Sequence, residues 1–199
     1  MAGRPRSFDK DAALDTFVDV FWSRGFQDTS IDNLQAVTGI KRGSFYAAFG
    51  DKENAFVAAL SRYADKVTTK SMTGVIERAA TPFEGLIDLL EFLGGVMADA
   101  PGRGCLLCTT MADPPQLSDK VADSFEHALQ TSQRIIFSTA EAAEHAGQLP
   151  AGQTAISITA YINSVMLGMN AMARSNTNPD CIRSAGITAA ALLRQKAAH

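Results

Sequence analysis

Two short stretches concentrate the side chains able to do chemistry. The first is Lys41-Arg-Gly-Ser-Phe-Tyr46, where two cations, a hydroxyl and a phenol follow Thr38-Gly39-Ile40. Lysine and arginine complement the O6/N7 edge of guanine in a major groove, and hydroxyls and backbone amides hold phosphate oxygens. This composition at the head of a short helix is that of a nucleic-acid reader. The second stretch is Pro101-Gly-Arg-Gly-Cys-Leu-Leu-Cys108, which sets two thiols three residues apart behind an arginine. A thiol in the first turn of a helix behind Arg103 has its thiolate stabilised by the positive helix end and the guanidinium. Cys105 is thereby a candidate nucleophile, with Cys108 as its resolving partner. Plainer readings stand beside these: solvated surface cations for Lys41 and Arg42, and a small buried hydrophobe for each cysteine.

The elements that must hold the first stretch are legible from caps and periodicity. Phe8, Ala12, Ala13, Phe17, Val20 and Phe21 recur at three- and four-residue spacing, which predicts an amphipathic helix over 9–24 stopped by Gly25. Phe26 to Thr29 connects to a second helix over about 30–37, capped by Ser30. Gly39 takes the turn, and a third helix covers about 41–47. Gly50-Asp51-Lys52 starts a long fourth helix with Asp51 as N-cap and Phe56, Leu60 and Tyr63 inward. Two short helices about a tight turn, the second cation-headed, have the build of a DNA-reading helix-turn-helix. Lys41, Arg42 and Ser44 then face base edges, and Gly43 lets the backbone approach. Tyr46, Thr29, Ser30 and Lys52 contact phosphates, with the free amides at the start of the fourth helix beside Lys52. Arg4 and Arg6, on a proline-containing arm, reach a neighbouring groove.

Beyond residue 80 the pattern changes to long apolar helices punctuated by proline and glycine. Helices are expected at about 82–98, 103–111, 115–146, 151–174 and 179–196, with Pro82 in a first turn behind Thr81 and a break at Pro114-Pro115. Nothing reads as a strand. The expected fold is all-α: a three-helix helix-turn-helix domain with its arm over 1–50, joined to a helical effector-binding and dimerisation domain over 51–199. The last two helices are dense in apolar residues and poor in charge, which favours a homodimer through residues 151–196 over a monomeric core pair.

Bulk properties narrow the class. The chain has 199 residues, 46% of them hydrophobic and 20% charged, a composition that argues against disorder. No apolar run is long enough to cross a bilayer, and residues 1–10 lack the apolar segment of a secretory signal. A cytoplasmic protein without a membrane partner is expected. The net charge of −3 does not announce a nucleic-acid binder, so local placement must. Cations fall on the arm and the reading helix, whereas Asp9, Asp11, Asp15 and Asp19 gather on the first helix. Three cysteines in a chain with no export signal are expected to be reduced thiols, with Cys181 structural.

Residues 8–60 resemble the N-terminal domain of tetracycline-repressor-like (TetR family) transcriptional regulators. The resemblance rests on Ala13 and Phe17, Gly25-Phe26, Thr29-Ser30-Ile31, Gly39-Ile40, Gly43-Ser44-Phe45-Tyr46, Phe49 and Lys52. Gln35 and Ala48 depart from it, where a small residue and a polar residue are usual. The resemblance implies a C-terminal domain that binds a small molecule, dimerises, and changes the separation of two reading heads. Phe83, Leu106, Met111, Phe125, Tyr161 and Met166 are apolar candidates for lining such a cavity. Gly104-Cys105-Leu106-Leu107 resembles a segment of a family subset in which the cysteine senses electrophiles or oxidants. Cys108 departs from the aliphatic residue common there.

The expectation is a homodimeric repressor bound to double-stranded operator DNA of near-palindromic sequence. A small-molecule or electrophile effector releases it, with no cofactor, no metal and no catalytic residue. The alternatives are a DNA scaffold without an effector, and an enzyme using Cys105 with His127 or His145 as base.

Overall fold

The computed structural model describes residues 8–112 and 118–197. Arg4, Arg6 and Pro114-Pro115 lie outside them. The helices are α1 (Lys10–Arg24), α2 (Ile31–Thr38), α3 (Arg42–Phe49), α4 (Lys52–Tyr63), α5 (Lys70–Ile76), α6 (Pro82–Ala98), α7 (Leu106–Ala112), α8 (Asp119–His145), α9 (Ala155–Arg174) and α10 (Pro179–Ala197). A π-helical turn, Ala64–Thr69, carries α4 into α5. No strand occurs among the described residues.

Caps fix the helix starts as the side chains dictate. Asp9 accepts the N–H groups of Asp11 and Ala12, Ser30 that of Asn33, Asp51 that of Asn54, and Thr81 that of Glu84 with Pro82 in the first turn. Three starts are later than periodicity indicated, those of α7, of α9 and of α8, which begins at Asp119 behind an extended Ser118. Gly102 and Gly104 adopt φ of 75° and 61°, left-handed values that no helix accommodates. Arg103 and Gly104 therefore lie in a loop, and Cys105 precedes the first helical residue of α7. Gly152 at φ 75° and the Thr154 cap likewise delay α9 to Ala155.

The helical head and the helical body share an apolar core. Phe17, Phe21, Leu34, Ile40, Phe45 and Phe49 of the first three helices and their turn pack with Phe56 and Leu60 of α4, which lies beyond residue 50, and with Leu106, Leu107 and Val121 of the body. Phe17 sits 4.9 Å from the Phe49 ring and 5.8 Å from that of Phe45, so aromatic contacts hold α3 against α1.

In the body α6 runs against α10. Gly94 and Gly186 bring these helices so close that a Cβ on Gly186 would lie 2.7 Å from the Leu90 carbonyl oxygen. Helix α9, 20 residues with mean hydropathy 1.2, does reach the length and composition of a membrane span, contrary to the expectation of none. Its inner residues Ile158, Ile162, Met166 and Met169 pack in the body core, and 33% of the apolar window is buried.

Candidate nucleic-acid interface and sensor cavity

The turn between α2 and α3 is built from its residue types. Gly39 has φ 68° and returns its N–H to the Gln35 carbonyl at 2.8 Å. The Gln35 side chain donates to the Ile40 carbonyl at 3.2 Å, so this departure from the family pattern ties the turn. Buried Leu34, Ile40, Phe45 and Phe49 fix the roll of α3. That roll leaves Lys41, Arg42, Gly43 and Tyr46 exposed and Ser44 partly so. Lys41 occupies the N-cap position without a side-chain capping bond. The Arg42 guanidinium lies 3.6 Å from Asp32 and 5.8 Å from the Tyr46 ring centre, a loosely held cation at the rim of the reading face. A Cβ on Gly43 would meet nothing within 4 Å, so any need for glycine there comes from an external surface.

Three of the expected phosphate contacts are already engaged inside the protein. Thr29 is 1% exposed and its hydroxyl donates to the Gly25 carbonyl at 2.7 Å, so it joins the head's core rather than its surface. Ser30 stays exposed, but its oxygen accepts the Asn33 N–H at 3.1 Å and donates to Asn33 Oδ1 at 2.8 Å. Lys52 donates to the Phe26 carbonyl at 3.0 Å and lies 4.2 Å from the Phe26 ring, locking α4 to the connector. The acids of α1 face the rest of the molecule. Asp15 takes Arg62 at 2.7 Å and Lys66 at 2.9 Å, and Asp19 takes Arg103 at 2.9 Å. Hydrogen bonds from Arg62 and then Lys66 hold the Asp15 carboxyl well below the usual carboxylate range.

A largely enclosed cavity of about 270 Å³ lies in the body between α4, α5, α6, α7, α8 and α9. Cys105, Cys108 and Met166 line it as expected, together with Tyr63, Met72, Phe92, Met97 and Ser132. The other expected lining residues are elsewhere. Leu106 is buried toward α1, beside Phe21 in a separate polar cleft. Phe83 packs in the α6 core and Phe125 against the head's core. Met111 does not border the cavity, and Tyr161 donates to the Ala189 carbonyl at 3.3 Å on the α9–α10 side. Helical spacing marks these residues as apolar-facing, but it cannot say which side of a helix meets a void.

Cys105 is partly exposed at the wall, held by three elements. Its N–H donates to Asn170 Oδ1 of α9 at 2.6 Å, and its sulfur accepts the Tyr63 hydroxyl at 3.4 Å. The thiol is lowered to about 6 by a hydrogen bond with Cys108 above all, assisted by the Cys108 N–H, Tyr63 and the Leu107 N–H against the opposing effect of burial. The hydrogen bond with Cys105 and burial push the Cys108 thiol up. Arg103 is not its electrostatic partner, contrary to the sequence expectation. The guanidinium stacks over Trp22 at 4.6 Å and pairs with Asp19. Both His127 and His145 are exposed on α8 and neither borders the cavity. Among the described residues no three His, Cys, Asp or Glu side chains gather as a metal site requires.

A second, open groove of about 790 Å³ runs between α9 and α10, lined by Val165, Met169, Met172, Cys181 and Leu192 among others. Cys181 is exposed there rather than structural. Ile156, Leu167, Ile187 and Leu192 are also exposed along these helices.

Residues 13–59 match the family described as bacterial regulatory proteins, tetR family, and residues 83–189 match the tetracyclin repressor-like C-terminal domain. The chain belongs to the TetR family. Its members are DNA-binding transcriptional regulators, and so is this protein. It is similar to the HTH-type transcriptional repressor ComR of Escherichia coli K12, with 30% identity over 88% of this chain and 84% of ComR. Similarity also extends to the repressor BdcR of the same organism, 28% identical over 86% of this chain and 82% of BdcR. Among solved structures, a cysteine mutant of the TetR family regulator CifR complexed with 26-base-pair double-strand operator DNA superposes with a TM-score of 0.82. It is 27% identical, over 96% of this chain and 100% of that one. For this TetR-family chain the exposed face of α3 is therefore the candidate reading surface, and the cavity at Cys105 the candidate sensor.

Proposed function

We propose that this TetR-family regulator is a homodimeric, cytoplasmic repressor released from a near-palindromic operator by an effector acting at the Cys105 cavity. Similarity to the repressors ComR and BdcR and to operator-bound CifR supports the repressor and DNA readings. Lys41, Arg42 and Ser44 read base edges, with Gly43 admitting the backbone and Tyr46 holding phosphate. The contribution of Ser30 and Lys52 is the rigid entry to the two flanking helices. The arm residues Arg4 and Arg6 extend the contact into a neighbouring groove. The exposed apolar residues of α9 and α10 form the homodimer contact within 151–196, which sets two reading helices about 34–36 Å apart, one DNA turn.

The observation that carries the sensor reading is a thiol at the wall of a largely enclosed apolar cavity, hydrogen-bonded by the Tyr63 hydroxyl and lowered by its neighbours. An uncharged electrophile enters the cavity, and the Cys105 thiolate adds to its electron-poor carbon. With an α,β-unsaturated carbonyl, the sulfur pair forms the S–C bond, the C=C pair becomes an enolate, and the enolate takes up one proton. With a hydroperoxide the sulfur pair instead bonds the terminal oxygen, the O–O bond breaks, and the departing alkoxide or hydroxide takes up a proton from water, leaving a sulfenic acid. Cys108 then displaces water from it to close a disulfide. Either product favours the arrangement that cannot bind DNA, since only differential affinity shifts such an equilibrium. Release needs no catalysis.

Selection of bound fragments from random duplexes, followed by gel shift with and without a small enone, tests both halves. The expected result is a near-palindromic site whose complex dissociates on stoichiometric modification. The Cys105→Ser variant should bind the same site and stay bound. Release of that variant by the enone would remove the thiol from the mechanism.

A further inference from the structure

One side chain outside the reading helix and the cysteine pair stands between them. Tyr63 is buried at the end of α4. Its hydroxyl donates to Cys105 Sγ at 3.4 Å and accepts the Leu106 N–H at 3.3 Å, where α7 begins. The ring meets Trp22 of α1 edge-on at 5.1 Å. Trp22, the one tryptophan of the chain, donates its indole N–H to the Gly104 carbonyl at 2.9 Å and lies beneath the Arg103 guanidinium. Arg103 in turn pairs with Asp19 at 2.9 Å. A single tyrosine thus touches the sulfur, the start of α7 and the helix that forms one side of the DNA-binding head.

We propose that Tyr63 is a positioning residue that couples the state of the Cys105 sulfur to the head, its hydroxyl holding the thiol and its ring holding Trp22. The inference rests on the sensor reading of Cys105 and names the residue through which that sensor acts. A buried hydroxyl requires partners, and a thiolate is a strong acceptor. When Cys105 is alkylated by iodoacetamide, the sulfur pair forms the S–C bond, the C–I bond breaks, iodide leaves and the thiol proton passes to buffer. The thioether is a weak acceptor carrying new bulk where the hydroxyl had approached. Tyr63 then has to leave that position, and Trp22, packed on its ring and bonded to the neighbouring Gly104, moves with it. Because Trp22 belongs to α1, the displacement reaches the head without passing through the exposed surface. The groups that bond the sulfur are Tyr63 from α4 and Cys108 from α7, while the neutral Asn170 of α9 accepts the Cys105 backbone N–H. Among the described residues the cavity wall holds no charged side chain.

The test uses the full chain carrying Cys181→Ser, so that the exposed thiol takes no label, and iodoacetamide as the probe. Labelling at Cys105 is located by fragmentation mass spectrometry, and its rate is followed across pH. Operator Kd is then measured before and after complete labelling, with thermal unfolding as the check on folding. The parent should lose about tenfold or more in operator affinity on labelling. Tyr63→Phe should show a labelling midpoint moved to higher pH, and a labelled-to-unlabelled Kd ratio below about threefold. Trp22→Phe should label at the parent's rate yet show the same low ratio, which keeps the inference testable if Tyr63→Phe does not fold. A Kd ratio in either variant equal to a large parent ratio would overturn the role of Tyr63 while leaving Cys105 as the sensor. A parent ratio of one would overturn the sensor reading and the coupling together.

Discussion

Arg103, two residues before Cys105, places its guanidinium 2.9 Å from Asp19 of α1 and not on the Cys105 sulfur. The loop that carries the thiol is thereby pinned to the DNA-binding head, and the thiol draws its acidity from Cys108, Tyr63 and helix-start amides instead. Arg103→Ala should accordingly leave the titration of Cys105 near 6, followed by the pH dependence of iodoacetamide labelling. A midpoint moved toward the ordinary thiol value of 9.0 would show that the guanidinium reaches the sulfur in solution.

The reading face predicts a contrast between neighbours. Lys41→Ala and Arg42→Ala should each weaken operator binding by about 1–3 kcal/mol, roughly 5- to 150-fold, with unfolding temperature unchanged. Thr29→Val should behave in the opposite way. Its hydroxyl is buried on the Gly25 carbonyl, so stability should fall by about 1 kcal/mol while the salt dependence of binding stays as in the parent. A lower salt slope in Thr29→Val would place that hydroxyl on phosphate after all.

The α6–α10 contact depends on the absence of a side chain. Gly186→Ala puts a methyl 2.7 Å from the Leu90 carbonyl and 3.1 Å from Gly94 Cα, both backbone atoms that cannot swing away. A loss of about 1–3 kcal/mol is expected in thermal or urea unfolding. Unchanged stability would mean that the two helices part at little cost.

Asp15 predicts a pH signature. Its carboxyl is held low in the folded state by Arg62 and Lys66, so its contribution is present above the ordinary value of 3.8 and is lost as pH falls through the lowered one. Wild type should exceed Asp15→Asn in unfolding temperature near neutral pH, and the gap should close as the medium becomes strongly acidic. A gap that widens in acid would contradict the ion pairs of α1 with Arg62 and Lys66.

Local chemistry made much of the fold legible in advance. The caps Asp9, Ser30, Asp51 and Thr81, the left-handed Gly39 and the apolar rhythm of α1 act within a few residues, and each element formed where those residues place it. The exposure of Lys41 and Arg42 at the head of α3 followed from the same logic, because the apolar residues Phe45 and Phe49 leave only one face outward. What could not be read was anything decided by residues far apart in the chain. Thr29 looked like a phosphate donor until the connector folded its hydroxyl onto Gly25, and Lys52 until α4 met Phe26.

The cavity lay further still from sequence pattern. Periodicity identifies an apolar helix face but not whether that face meets a neighbour or a void, which is why Cys105, Cys108 and Met166 border the cavity while Phe83, Phe125 and Tyr161 do not. The amino-acid order alone determined the helices, their ends and the family, since those depend on short-range hydrogen bonding and a contiguous motif. Only tertiary packing tied the loop that carries Cys105 to Tyr63, Trp22, Asp19 and Asn170, because those contacts close loops of 42 to 84 residues and exist only once the head rests on the body.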